Sequence, residues 1–372
     1  MNLSNHLNNL NEQKDKILFS FPLYPPLELF HSMDLTTLVL WGLKNEIRST
    51  QHIYKHIQDY VCSIAKHLTE FILNNGNKID FLFSYNACDS LRNLPEIIKE
   101  GLKEQDYHLP SFHIHLPMNS LDRKYTEEYL KDEFTHLISS LEPFIPNKIS
   151  FKRFSRSVEL FRELRDLKKG LEDLIVKNDY SYINYIKSME ACKYLSNENQ
   201  IRFLESKYKE FLNKNTSKST NKVKRVILSG ILPPPPKIVH IIEESGLKVV
   251  GNDIAKYTRS LHYTPPKGSF KTIEDYYLKF YQNHFPCPTL LYTTDSRIPL
   301  LKEMIKQKEA NGFIFIGEKF CEYEYFEIPI LEKQLQDENV PMLDLEFSAE
   351  DIKNYEPYRT RIDAYSEILT TK

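Results

Sequence analysis

Ile314-Phe-Ile-Gly-Glu-Lys-Phe-Cys-Glu-Tyr-Glu324 starts inside an apolar run, Gly312 to Gly317, and reaches a thiol and two acids within a few residues. The run is short, rich in Ile and Phe and bounded by glycine, the pattern of a strand buried on both faces. In open α/β sheets ligands bind beyond the carboxyl ends of the strands. A cysteine four residues past such a strand is placed differently from one that fills a core as a small hydrophobe. The same arrangement occurs earlier in the chain. Ile79-Asp-Phe-Leu-Phe-Ser-Tyr85 is followed three residues on by Cys88 and then Asp89.

Two further stations match in the same order. Lys16-Ile-Leu-Phe-Ser-Phe21 reads as a strand followed by Pro22 and by Pro25-Pro26, which open a helical stretch. Lys224-Arg-Val-Ile-Leu-Ser-Gly230 reads likewise, followed by Pro233 to Pro236 and the helical KIVHIIEESG. Proline in the first turn of a helix loses no hydrogen bond, so strand, proline and helix form a natural unit. Phe112-His-Ile-His-Leu116 precedes an acidic, Tyr-rich helix, and Val340-Pro-Met-Leu-Asp-Leu345 precedes TRIDAYSEIL. These correspondences predict an α/β protein with two similar parallel-sheet domains, at 1–150 and 223–372. Residues 151–222 are expected to be a helical bridge ending in the polar linker Asn213–Lys222.

Composition bounds the partners. A 372-residue chain with 41% hydrophobic and 27% charged residues is an ordinary globular composition with room for two domains. A net charge of −2 and a pI near 6.7 give no reason to expect nucleic acid or anionic lipid. The polar start MNLSNHLNNLNEQKDK carries no secretory h-region, and no apolar run is long enough to span a bilayer, so a cytoplasmic location is expected. Five cysteines without a C-x-x-C pair argue against both a disulfide framework and a zinc ribbon.

The candidate residues admit plain readings beside functional ones. Cys62 lies in His52–His67, which reads as an amphipathic helix, where a cysteine more often packs than binds. Cys88 opens a loop into a helix whose amides would favour a thiolate. Cys192 and Cys287 read as structural, and His113 and His115 share a strand face without a third ligand. Asp253 and Arg259, after the strand Leu247–Gly251, are either a cap and surface pair or residues of a cleft. If the two domains face each other, Cys88 and Cys321 meet in the cleft and Cys62 can reach it. Three thiolates leave one position open, which suits an iron–sulfur cluster with a free iron better than a closed structural zinc site.

With these stations placed, the chain resembles the 2-hydroxyacyl-CoA dehydratase family, which includes the benzoyl-CoA reductase subunits. The resemblance is carried by Tyr60-Val-Cys-Ser63, Asn86-Ala-Cys-Asp-Ser-Leu-Arg92, and Val249–Ile254 with Thr258-Arg259. It continues in Lys319-Phe-Cys-Glu322 with Glu327–Leu331, and in Thr360–Glu367. It implies two flavodoxin-like domains holding one [4Fe-4S] cluster through Cys62, Cys88 and Cys321, with Asp253 and Arg259 as candidates for substrate binding. It also implies a paralogous second subunit (or self-association) and an ATP-dependent activator that injects an electron into the carbonyl of an acyl-CoA. The resulting ketyl radical loses the 2-hydroxyl, a lyase reaction. Alternatives are a benzoyl-CoA reductase-like or double-cubane reductase subunit, a non-catalytic scaffold that holds a cluster, and a metal-free binding protein.

Overall fold

A computed structural model of the chain describes residues 3–43, 46–47, 52–145, 147–177, 180–213, 223–289, 294–348 and 354–371. The first half runs α1 (Leu3–Gln13), β1 (Lys16–Ser20), α2 (Leu27–Ser32), β2 (Leu35–Val39), α3 (Ser63–Asn75), β3 (Phe81–Tyr85), α4 (Asp89–Lys103), β4 (Ser111–Ile114) and α5 (Lys124–Leu141). Three helices follow: α6 (Phe151–Lys177), α7 (Tyr182–Cys192) and α8 (Asn197–Leu212). The second half runs β5 (Lys224–Gly230), α9 (Pro236–Glu244), β6 (Leu247–Ile254), α10 (Ile273–Gln282) and α11 (Thr294–Gln307). It ends with β7 (Gly312–Glu318), α12 (Glu322–Tyr325), α13 (Ile328–Asp337), β8 (Met342–Phe347) and α14 (Glu356–Thr371).

Among the described residues, the strands form two separate four-stranded sheets, ordered β2-β1-β3-β4 and β6-β5-β7-β8, and every pairing is parallel. Each repeats the order 2-1-3-4 of a doubly wound sheet, with its switch point between the first and third strands. The expected α/β architecture of two similar domains is therefore present. β1 and β5 occupy the same place in their sheets, as do β3 and β7. β3 and β7 are buried along their whole length, which is why both read as unbroken apolar runs. The prolines act as expected: Pro26 caps α2, while Pro235 caps α9 and Pro236 is its first residue.

The chain forms two compact units that do not follow its halves. The first comprises Met1–Phe161 with Tyr263–Phe285 and Thr289–Tyr292; the second comprises Arg162–His262, Pro286–Pro288 and Thr293–Lys372. Helix α10, from the second half of the sequence, is thus part of the first unit. There Tyr277 stacks on Phe134 of α5 with ring centroids 4.3 Å apart. The buried Glu28 carboxylate accepts the hydroxyls of Tyr276 (2.9 Å) and Tyr277 (3.3 Å), and the Tyr277 oxygen in turn accepts the Leu29 N–H. From residue 214 onward the polar linker lies outside the described residues.

Candidate functional site

Each of the three candidate cysteines is the N-cap residue of a helix: Cys62 of α3, Cys88 of α4 and Cys321 of α12. The Cys62 carbonyl accepts the Lys66 N–H, the Cys88 carbonyl that of Arg92, and the Cys321 carbonyl those of Glu324 and Tyr325. Topology sets where the caps lie. A helix joining two parallel strands must start at the carboxyl edge of the sheet and run back. Cys88 follows β3 there and Cys321 follows β7, the same station in each unit. Cys62 starts the crossover helix between β2 and β3, so the first unit carries two thiols at its carboxyl edge.

The sequence reading of 52–67 as one helix is corrected. Only Ser63 onward is α-helical; Ile53–Lys55 is a single 3₁₀ turn. The cause is Glu70, a buried acid of α3. Its carboxylate takes the Ile53 N–H at 2.9 Å and the His52 ring at 2.8 Å, folding the segment back along the helix instead of extending it. Cys62 therefore heads the helix instead of riding within it, and its residue is only 7% exposed.

No disulfide joins any of the five cysteines. Cys192 is buried and donates to the Met189 carbonyl, and Cys287 is buried against Arg259. Burial pushes the Cys88 thiol up from its ordinary range, while the amides of Leu91 and Ser90 at the start of α4 pull in the opposite direction. Such a sulfur is neutral by itself and becomes a thiolate when a cation compensates its burial. Among the described residues, no group of three or more His, Cys, Asp or Glu side chains forms a ready metal site. As donors, however, the three N-cap thiols are soft sulfur ligands that fit an iron–sulfur group rather than a hard cation.

The second unit contains a buried ion network around the Cys321 loop. Asp253 is a residue of β6, and Arg259 ends the π-helical turn Ala255–Arg259 that follows it; both are completely enclosed. Arg259 donates from Nε to Asp253 Oδ1 (2.8 Å) and from Nη1 to Glu324 Oε1 (2.8 Å). Arg297, in the first turn of α11, donates from Nη2 to Asp253 Oδ2 (2.5 Å) and to Ser229 Oγ (2.8 Å), and from Nη1 to Glu327. Burial alone would raise the Asp253 carboxyl, but the two guanidiniums outweigh it and hold the pKa below the ordinary range. A substrate could reach Arg259 only by displacing one of these buried carboxylates.

Sequence reasoning did not single out Arg297, Glu324, Glu327 or Ser229. One signal was available: Glu324 and Glu327 are three apart just after Cys321, a spacing that puts two side chains on one helical face. No local signal ties Arg297 to Glu327, because that pairing comes from α13 packing against α11.

The profile of the family described as 2-hydroxyglutaryl-CoA dehydratase, D-component, matches residues 22–369. The (R)-phenyllactyl-CoA dehydratase beta subunit of Clostridium sporogenes is 26% identical over 370 residues, covering 98% of this chain and 94% of that protein. The (R)-2-hydroxyglutaryl-CoA dehydratase subunit beta of Acidaminococcus fermentans is 22% identical, over 96% of this chain and 93% of its own. The lactoyl-CoA dehydratase subunit beta of Anaerotignum propionicum is also 22% identical, over 94% and 90%. Among the described residues, no helix is long and apolar enough to cross a membrane. With a match running from the first strand–proline junction to the last helix, the chain belongs to the 2-hydroxyglutaryl-CoA dehydratase D-component family.

Proposed function

We propose that the chain is the iron–sulfur subunit of a 2-hydroxyacyl-CoA dehydratase, acting with a second subunit and an ATP-dependent activator. The observation that carries this reading is the placement of Cys62, Cys88 and Cys321. Each heads a helix at the carboxyl edge of a parallel sheet, in a chain that matches the family over nearly its whole length. The three relatives above are named as beta subunits of CoA-thioester dehydratases, which supports both the substrate class and the partner subunit.

The thiols of Cys62, Cys88 and Cys321 would hold a [4Fe-4S] cluster and leave one iron without a protein ligand. When bound, such a cluster supplies a low-potential electron to the thioester carbonyl and a Lewis-acidic iron for the departing 2-hydroxyl. The chain's own contribution is to hold and shield. The amides of Ser90 and Leu91 face the Cys88 sulfur and stabilise negative charge on it. Hydrogen bonds and low exposure around the sulfurs tune an iron–sulfur potential, and Cys62 and Cys321 are both nearly enclosed.

The test is an anaerobic assay of the chain with its partner subunit and activator. Turnover of a 2-hydroxyacyl-CoA to the enoyl-CoA, dependent on ATP and a reductant, is the expected result. Cluster reduction that is indifferent to any CoA thioester would instead identify a scaffold without catalysis.

A further inference from the structure

The turn that delivers Cys321 is strained. Glu318, Lys319, Phe320 and Cys321 form a tight turn closed by Cys321 N–H to the Glu318 carbonyl at 2.9 Å, with Phe320 at φ +65°. That left-handed conformation is normally left to glycine or asparagine, and it is strained for a bulky residue. Strain of this kind persists only where the surroundings over-determine the backbone. Two acids just beyond the turn supply that hold. Glu324 of α12 binds Arg259, and Glu327 binds Arg297. Glu327 is the N-cap residue of α13, yet its side chain caps nothing, having been diverted to the guanidinium. Both arginines are in turn fixed to Asp253, and Arg297 also to Ser229, at the ends of β6 and β5.

We propose that Arg259 and Arg297 are positioning residues for Cys321: they clamp loop 318–327 through Glu324 and Glu327 to the carboxyl ends of β5 and β6, fixing where the thiol is presented. The inference rests on Cys321 being a cluster ligand, but it assigns the network a role that the ligand set does not. The two-armed geometry explains why arginine is used. A planar guanidinium can bridge a strand carboxylate and a loop carboxylate at once, which an ammonium cannot do with the same directionality. It also gives Asp253 a part as the hub of the clamp, since both arginines bind its carboxylate.

The experiment uses the full chain in two forms. In the metal-free form, alkylation by iodoacetamide is followed at each cysteine by peptide mass mapping. Glu324→Ala and Arg259→Ala should speed modification of Cys321 by at least about tenfold, the change that a loss of about 1.4 kcal/mol in local stability produces. The rate at Cys88, in the other unit, should not change. Glu324→Gln keeps an acceptor for Arg259 and should restore most of the protection, whereas Arg259→Lys, which cannot bridge both carboxylates with the same directionality, should speed modification severalfold and covers the case in which the alanine variants fail to fold. In the reconstituted form, Glu324→Gln should retain iron but shift the reduction potential and the electron paramagnetic signal, which a merely structural role would not move.

Unchanged alkylation of Cys321 in all variants, or equal acceleration at Cys88 and Cys321, would overturn the clamp while leaving the cluster reading intact. A wild-type chain that takes up no iron would remove the cluster reading, yet the alkylation pattern would still report on the clamp.

Discussion

Replacing Arg297 by methionine removes a guanidinium that is 1% exposed and bonded to Glu327, Ser229 and Asp253. Asp253 would keep Arg259, at 2.8 and 3.5 Å. The Glu327 carboxylate would keep nothing, because its other oxygen already has no hydrogen-bond partner among the described residues. Breaking a buried ion pair from one side costs about 3–5 kcal/mol, so Arg297→Met should destabilise the chain by about that amount. Glu327→Leu leaves Arg297 with Asp253 and Ser229, so its cost should be nearer ~1–3 kcal/mol. The double variant removes both the orphaned charge and its former partner. It should be more stable than Arg297→Met alone by at least ~1 kcal/mol, since apolar replacement of a whole buried pair is often close to neutral. The assay is urea unfolding of the metal-free chain by far-ultraviolet circular dichroism, with hydrogen exchange on β5, β6 and β7 to locate the loss. A double variant whose cost equals the sum of the two singles within ~0.5 kcal/mol would mean instead that Arg297 and Glu327 are not coupled.

Tyr277→Phe removes the hydroxyl that bonds Glu28 and accepts the Leu29 N–H, so it should cost about 1–3 kcal/mol and loosen α10, read as faster hydrogen exchange across 273–282. Tyr276→Phe, which removes a bond to Glu28 but leaves the Leu29 N–H bonded to Tyr277, should cost less in the same measurement. For pH, Asp253 has a lowered folded pKa, so its stabilising effect is fully present above its unfolded value of ~3.9 and is lost as the pH falls below it. Burial chiefly raises Glu172, a carboxyl bonded to Thr258, so its folded pKa lies above the unfolded ~4.3 and stability falls as the pH rises through that window. Glu172→Gln should therefore gain stability relative to the parent as the pH rises above that unfolded value, and a difference that is flat with pH would count against this.

The strands most plainly legible in the sequence are those enclosed on both faces. β3 and β7 are enclosed on both faces, so their runs are continuously apolar, and the prolines after β1 and β5 mark where helices start. β2, Leu35-Thr-Thr-Leu-Val39, went unread because it is a half-buried edge strand with two threonines in five residues. The placement of Cys62 at a helix start was hidden by Glu70, whose long-range bonds to His52 and Ile53 override a helical pattern in the preceding segment. Asp253 and Arg259 stood out as chemistry after a strand, but their enclosure depends on Arg297 and Glu324, 44 and 65 residues away from their partners. The crossing of α10 into the first unit left no local trace either; its tyrosines look like any aromatic helix face until Glu28 is placed beneath them.

The proposed cluster rests on Cys62, Cys88 and Cys321 and not on Cys192 or Cys287. It is tested most directly by iron and acid-labile sulfide analysis of the anaerobically purified chain and its five single Cys→Ser variants. The parent should contain about four irons and four sulfides per chain, as one cubane requires. Cys192→Ser and Cys287→Ser should retain them, whereas Cys62→Ser, Cys88→Ser and Cys321→Ser should each lose or destabilise the cluster. Equal iron loss at all five positions, or a parent chain that binds no iron, would contradict it.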